Sequence, residues 1–350
     1  MLSEKSVFAG FFLLSLCISQ FSSPAHAATK TIRGFADFNF SLTDADDGRS
    51  QFRLGQYDTY ITGSLTDKIT YLSEVVFEYD EGWILDLERL WVRYKFNDAL
   101  SVSTGKFHTA LGFWNRNYHH GALLHTSVDR PIYLFFEDEG GILPIHTTGL
   151  LISGIDIGSS RIYYDVMVGN GLGSSPTEDN DSAKSISVYV HSKVIEDVDF
   201  GISFYSDSVS EGAVIDAHAH GGEEALPLGE DVDQLIMSAN VSINKGNVEL
   251  LTEFAQVTNK GQRTGKKGTT TGLYALGAYS FDDLTPFFKF DLLAPDDADP
   301  IFSPGKTTAF SVGVKYDLSY LAAVKVQYTN LDVEGADKEN LLRTQLAIGF

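Results

Sequence analysis

Three cations, Arg89, Arg93 and Lys95, lie on one face of a segment whose other face is apolar. Successive side chains of a β-strand point to opposite faces, so these three residues form a ladder of positive charge. A ladder of this kind attracts anions if it lines a water-filled passage. An alternative is that Glu74 and Glu78 on the preceding segment pair with the cations. Only an electric field across the passage would then remain.

Charged residues recur on the polar faces of similar segments along the chain. We assign to one common polar surface Arg33, Asp37, Glu74, Glu78, Arg89, Arg93, Lys95, Arg161, Asp165, Glu249, Glu253, Lys289, Asp291, Lys315, Lys325 and Arg343. The set holds nine basic and seven acidic groups, although the whole chain is acidic. The remaining acids are predicted to lie in loops, where salt screens them over about 8–10 Å. A passage lined by this surface is therefore predicted to prefer anions weakly.

Residues 107–146 form the longest connection between such segments, and they are rich in aromatic and aliphatic side chains. An exposed surface loop has no reason to be so apolar, whereas a loop folded into a lumen needs a buried side. We therefore predict that residues 107–146 fold inward into the lumen and narrow the passage, as a constriction loop. Its polar groups are Arg116, Asp129, Arg130, Glu137, Asp138 and Glu139. An alternative is that its apolar residues serve an interface between subunits.

The same connection contains five histidines, namely His108, His119, His120, His125 and His146. Imidazoles next to carboxylates are the usual ligands of zinc. No H-E-x-x-H or H-x₃-H spacing is present, and the adjacent His119 and His120 cannot easily face one ion from a regular element. The sequence therefore predicts no metal site and no cofactor, with the histidines bracing the loop through hydrogen bonds.

No motif of a known enzyme class is present, since the chain lacks G-x-S-x-G, a P-loop and a zincin helix. We therefore predict a protein that is not an enzyme. The alternative from another class is a barrel hydrolase with a site on residues 107–146, because histidines and acids are concentrated there. A loop-mediated adhesion role is a third hypothesis.

Composition excludes several protein classes. The chain has 350 residues, with 47 acidic and 26 basic side chains and a net charge of −21. This acidity argues against binding of nucleic acid, which needs a surplus of Lys and Arg. The single cysteine, Cys17, excludes a disulfide scaffold. A mean hydropathy of −0.06 excludes a helical membrane bundle but not a membrane β-barrel.

The first 27 residues are typical of a secretory signal peptide. Lys5 precedes an apolar stretch over 7–18, and Ala25 and Ala27 form an A-x-A cleavage site. A membrane anchor helix is the alternative, although the apolar stretch is short for a span. Residues 28–350 are then predicted to form a single transmembrane β-barrel domain.

Period-two alternation dominates the mature chain and predicts sixteen strands. Seven short turns alternate with eight longer loops, one of them predicted over 81–86 between strands at 69–80 and 87–97. The phase is ambiguous in the second, sixth and twelfth segments. This pattern predicts an all-β fold, a transmembrane antiparallel up-and-down barrel of about 16 strands. A soluble sandwich is disfavoured because its inner faces would be apolar.

The chain ends in an amphipathic strand with a terminal aromatic residue, Phe350, as outer-membrane barrels of Gram-negative bacteria commonly do. Together with the strand pattern, this resembles a sixteen-stranded porin. Segments 87–94 and 105–107 are similar in style to the phosphate-selective porin O and P group. The resemblance implies an outer-membrane location, recognition by the barrel-insertion machinery, a homotrimer and passive diffusion of small hydrophilic solutes. The charged loops suggest contact with lipopolysaccharide as well as membrane lipid.

Overall fold

The structure is a computed structural model. It describes residues 29–45, 48, 50–80, 82–119, 121–135, 141–172, 181–213, 215 and 227–350. The predicted signal peptide, His120 and the three acids Glu137, Asp138 and Glu139 lie outside these residues, as does the side chain of Glu78.

Sixteen strands of the described chain form one closed antiparallel barrel in which each strand pairs with its sequence neighbours and β1 pairs with β16. The strands are β1 (Thr29–Thr43), β2 (Ser50–Ser64), β3 (Ile69–Asp80), β4 (Gly82–Asn97), β5 (Leu100–His108), β6 (His146–Ile157), β7 (Ile162–Gly169), β8 (Ser185–Ser192), β9 (Val198–Val209), β10 (Val232–Lys245), β11 (Val248–Gly261), β12 (Lys267–Tyr279), β13 (Leu284–Ala294), β14 (Thr307–Ser319), β15 (Ala322–Val333) and β16 (Glu339–Gly349). The predicted all-β barrel and its strand number are confirmed.

The helical residues that the structure describes all lie in the connection between β5 and β6. It contains helix α1 (Phe113–Asn117) and a 3₁₀ turn (Ile132–Leu134). Within the described ranges, no helix is both long and apolar enough to span a membrane.

The two faces of the barrel wall differ in chemistry. On β10, Leu235 and Met237 are exposed on the outer face, whereas Gln234, Ser238 and Asn240 point inward and are buried. Other large apolar residues exposed on the outer face include Phe38, Leu90, Val92, Ile202, Phe254, Phe288, Phe310 and Val312. The period-two alternation of the sequence thus separates an apolar outside from a more polar inside.

One predicted loop is wrong, because β4 contains a β-bulge and begins earlier than its alternation predicts. The connection between β3 and β4 was predicted over 81–86, but β4 begins only two residues after β3 ends. The register shifts so that Glu88 opposes no residue of β3. Leu87 and Leu90 are therefore both exposed on the outer face although they lie three residues apart. The bulge breaks the strict alternation on which the sequence reading depended.

Strands β6 and β12 had an ambiguous phase because both of their faces carry apolar residues. In β6, Leu150 is exposed on the outer face and Leu151 is buried on the inner face against Met167. In β12, the inward Tyr274 packs against Tyr133 of the β5–β6 connection, with ring centroids 6.1 Å apart. Inward apolar residues at these positions contact other buried side chains instead of water.

The barrel closes where β1 meets β16. Nine residue pairs connect the two strands, and the amide of Phe350 donates to the carbonyl oxygen of Gly34 at 3.0 Å. The Phe350 ring stacks on Tyr57 at 5.4 Å. A Cβ at Gly34 would lie 2.4 Å from the Phe350 ring, so a glycine is required where the terminal aromatic residue crosses β1.

We expect Phe38→Arg to reduce the yield of folded barrel far more than Asn39→Arg. Phe38 lies on the outer face of the central part of β1, where an arginine in contact with lipid costs roughly 2–4 kcal/mol. Asn39 points inward, 2.5 Å from Asp37, which can accept a hydrogen bond from the new guanidinium. The measurement is the folded fraction on unheated gels after refolding into lipid vesicles. Equal yields would contradict the assignment of the two faces.

Candidate functional site

The connection between β5 and β6, which we call the long segment (residues 109–145), contacts the inner face of distant strands. Three of its backbone amides donate hydrogen bonds to side chains of the strands. The amide of Gly112 donates to Ser203 on β9, that of Ile132 to Asp291 on β13, and that of Val128 to Gln327 on β15. The donor–acceptor distances are 2.9, 3.2 and 2.9 Å. These acceptors belong to strands far apart around the barrel. The segment therefore contacts several strands instead of lying against one.

Glu253 on β11 is the strongest single anchor of the long segment. Its carboxylate accepts hydrogen bonds from the amides of Phe113 and Trp114 at 2.5 and 2.9 Å and from the hydroxyl of Tyr133 at 3.0 Å. The first two donors lie at the start of α1, where amides lack partners within the helix. Gly112 precedes them with a φ of +68°, and a Cβ there would lie 2.6 Å from the Glu253 carboxylate.

An apolar cluster lies beneath these polar contacts. Six residues of the long segment contribute to it, namely Leu111, Trp114, Tyr133, Leu134, Ile142 and Leu143. The barrel wall contributes Tyr205, Val209, Val232, Ile236, Leu251, Ala255, Val257 and Tyr274. Burial of this surface supplies about 25 cal/mol for each Å² of apolar area removed from water. One side of the barrel interior is thus a packed core.

Two predicted lining residues, Lys289 and Lys325, are covered by the long segment. Their side chains point inward but are only 2% and 0% exposed. Lys289 donates to the carbonyl oxygens of Asp129 and Arg130 at 3.1 and 3.2 Å, and Lys325 donates to that of Ser127 at 2.9 Å. These ammonium groups are therefore bound by backbone acceptors and do not face open solvent.

Three charged residues predicted on the long segment are described, and they contact the wall or other residues of the segment. Arg116 pairs with Asp165 of β7. Asp129 pairs with Arg343 of β16. Arg130 donates to the carbonyl oxygen of His119 at 2.8 Å and lies over the Trp114 ring at 5.1 Å. Oppositely charged groups therefore meet at two separate points where the segment touches the wall.

The cation ladder of β4 is partly neutralised. Arg89 pairs with the buried Glu74 of β3, as the alternative reading of the sequence proposed. Lys95 lies 2.7 Å from Asp98 in the turn that follows the strand. The ladder is thus present on one face, but two of its three charges have acidic neighbours.

Arg93, the middle residue of the ladder, has a different environment. Its Nε donates to Ser103 of β5 at 3.1 Å, and its guanidinium lies 4.7 Å from the centre of the Trp91 ring. It also interacts electrostatically with Asp165 and Arg116. Arg93 therefore connects the β4 ladder to the ion pair that holds the long segment.

Other charged groups of the wall remain accessible. Arg33 is exposed on the inner face of β1, and Lys315 lies 2.9 Å from Asp317 on β14. The sequence did not identify Arg53 on β2, which is exposed. Arg53 lies opposite the inward Asn39 of β1 in the strand register, so it is on the inner face too. A bulge between β1 and β2 shifts the phase of β2 and concealed it. Arg161 lies in the turn before β7 and not on a strand.

The four described histidines of the connection lie in two environments. His108, His119 and His146 come together, with ligand atoms within 4.8 Å of one another. His125 lies apart from them, with its ring 5.7 Å from that of Trp114. Burial lowers the pKa of His125 well below its usual value, and the nearby charge of Lys325 lowers it further. Burial likewise raises the pKa of Tyr118 to about 12, and the nearby charge of Glu249 contributes to the shift.

Comparisons with known proteins show the fold. No protein-family model matches the chain, and no curated protein matches it. An anion-selective porin from Comamonas acidovorans superposes with a TM-score of 0.66 at 13% identity, covering 92% of this chain and 100% of that one. Salmonella typhi OmpF, in complex with daunomycin, gives 0.65 at 12% identity over 92% and 97% of the two chains. The trimer form of OmpT, an outer membrane protein of Vibrio cholerae, gives 0.65 at 12% identity over 93% and 100%.

These structures share the barrel architecture with this chain. At this level of identity, the likeness extends to the fold and not to the solute. The similarity to the phosphate-selective subgroup stays a prediction.

We expect Glu253→Leu to loosen the long segment, because the amides of Phe113 and Trp114 would lose the one carboxylate oxygen that both contact. Leaving such donors unsatisfied costs roughly 1–3 kcal/mol, which raises the undocked population about 5- to 150-fold. Trypsin cleavage after Arg116 and Arg130 in the folded barrel, followed by mass spectrometry, measures this population.

The matched control is Glu249→Leu on the same face of β11, where the structure shows one hydrogen bond, from Thr126. Its cleavage rate should stay close to that of the unmodified protein. Equal acceleration in both variants would mean that Glu253 does not hold the segment.

Proposed function

We propose that the protein is an outer-membrane porin of a Gram-negative bacterium that forms a channel for passive diffusion of small hydrophilic solutes. The observation that carries this proposal is a closed sixteen-stranded barrel with an apolar outer face and charged residues on its inner face. An apolar outside suits lipid, and a barrel of this strand number is wide enough for an aqueous channel. The fold shared with porins supports the proposal.

The long segment is proposed to be the constriction of this channel. Its contacts with β9, β11, β13, β15 and β16 support a position inside the barrel. A segment held there occupies cross-section that solutes would otherwise use. The ion pairs of Arg116 and of Asp129 would then set a field at the narrow part of the pore.

The pore is proposed to prefer anions weakly. Six basic members of the assigned surface lie on strands and are not buried, namely Arg33, Arg89, Arg93, Lys95, Lys315 and Arg343. Two described acids of the same surface are not buried, Asp37 and Glu249. Four described acids of the surface are buried against two bases, which leaves a basic excess on the accessible wall. The similar Comamonas porin is itself described as anion-selective.

The remaining features of the proposal follow from this setting. The protein acts as a channel and not as an enzyme, and its signal peptide directs export. It contacts lipid and lipopolysaccharide and is inserted by the barrel-insertion machinery. A homotrimer is proposed because trimeric OmpT has a similar fold.

The decisive experiment is single-channel recording in planar bilayers. We expect discrete conductance steps from the unmodified protein. Replacing residues 121–135 with a short Gly-Ser linker should raise the conductance, because the lumen gains open cross-section. Gel mobility and circular dichroism confirm that the deletion variant is folded. A folded protein without conductance steps would contradict the channel, and unchanged conductance in the deletion would contradict the constriction.

Ion preference is tested by the reversal potential in a salt gradient. Replacing Arg33, Arg53 and Arg93 together with Gln should shift the potential toward cations, because three accessible positive charges leave the wall. The control replaces Lys260, Lys266 and Lys267, three exposed residues at and beside the β11–β12 connection. An equal shift in the control would assign the preference to the mouth of the pore. An unmodified channel that selects cations would contradict the proposal.

A further inference from the structure

Three histidines from different parts of the chain meet on the inner face of the barrel. His108 ends β5, His146 begins β6, and His119 follows α1 in the long segment. Their ring centroids are 4.1 to 5.4 Å apart. His108 and His119 are buried, and His146 is nearly so.

A buried carboxylate completes the cluster. Glu88 is 3% exposed, and its Oε2 lies 2.7 Å from Nε2 of His146 and 3.8 Å from Nε2 of His119. The β-bulge in β4 places Glu88 on the inner face, next to Arg89 of the same face. Bulges often redirect a side chain toward a functional site. Here the bulge adds a fourth possible ligand to the three imidazoles.

The surroundings of the cluster are rich in buried carboxyl groups. Asp58, Glu74 and Glu88 are each at most 3% exposed. Asp58 and Glu74 share a hydrogen bond, which requires a proton between them, and Arg89 pairs with Glu74. Buried carboxylates are stable when they are paired or when they bind a metal. A divalent cation among the histidines would balance the charge of Glu88.

The environment of His119 favours a ligand role. Nδ1 of His119 lies 3.1 Å from Oδ1 of Asn115, which sets Nδ1 as the protonated nitrogen and leaves Nε2 to bind a metal. Asn115 is fixed in turn, because its amide donates to the carbonyl oxygens of Thr109 and Ile145 at 3.2 and 3.3 Å. This is the arrangement of a supporting residue behind a metal ligand.

We propose that His108, His119, His146 and Glu88 form a structural site for a divalent transition metal of the zinc class. Three imidazoles favour zinc, copper or nickel over magnesium and calcium, which prefer all-oxygen sites. Four protein ligands leave no open position, so the site is structural and not catalytic. Ligand atoms around tetrahedral zinc lie about 3.3 Å apart, so the rings would close by roughly an ångström on binding.

The bound metal ion would fasten the long segment to the barrel wall. The ion would connect the end of β5, the start of β6 and the turn after α1 to the bulge of β4. Binding would therefore fix both ends of the segment and its first helix in one position. This role does not depend on which solute crosses the barrel.

The test uses the folded full-length mature protein in detergent, freed of metal with a chelator and titrated with Co²⁺. Tetrahedral Co²⁺ absorbs visible light, and subsequent Zn²⁺ should displace it. We expect one equivalent per chain. Each of the variants His119→Gln, His146→Gln and Glu88→Gln should weaken binding by at least about tenfold, the lower limit seen when supporting residues alone are removed.

The matched control is His191→Gln on β8, a histidine that contacts Asp199 and lies outside the cluster. Its affinity should equal that of the unmodified protein. The titration of the unmodified protein decides the proposal even if a variant fails to fold. Absence of a tetrahedral Co²⁺ spectrum there, or full affinity in folded His119→Gln and His146→Gln, would overturn it.

Discussion

Closure of the backbone hydrogen-bond ladder between β1 and β16 is the constraint on which the rest of the structure depends. It leaves no open sheet edge, so the outer face can be apolar over the whole circumference. The C-terminal residue is part of this closure, because Phe350 exchanges two backbone hydrogen bonds with Gly34. Every inward side chain then faces a closed interior, and the chain must fill or hydrate that space.

The long segment is held by contacts with charged side chains that the strands provide. Glu253 accepts the free amides of α1, while Lys289 and Lys325 donate to carbonyl oxygens that no helix or sheet satisfies. Each contact combines a buried charge with backbone groups that need partners. Apolar wall residues such as Ile236 and Ala255 complete the packing. One set of inward residues thus forms a core, and the other remains accessible around it.

This division changes the electrostatics of the interior. Acids such as Glu74 and Glu253 are buried in contacts, whereas Arg33 and Arg93 keep contact with solvent. The charge of Glu74 contributes little to the field in the interior, because Arg89 offsets it. Buried acids also lie beside the His108 cluster, and their negative charge favours binding of a cation there.

The sequence by itself determined the strand number and the outer face of most strands, because alternation is a local property of each strand; the second, sixth and twelfth strands were the exceptions. Phe310 and Val312 on one face and Ser311 on the other suffice to orient β14. Tertiary structure decided the bulge at Glu88, the burial of Lys325 and the meeting of His119 with His146. The physical reason is distance along the chain: Glu253 lies 139 residues from the amide of Trp114 that it holds. Only the closed barrel brings such residues together, and no spacing in the sequence encodes it.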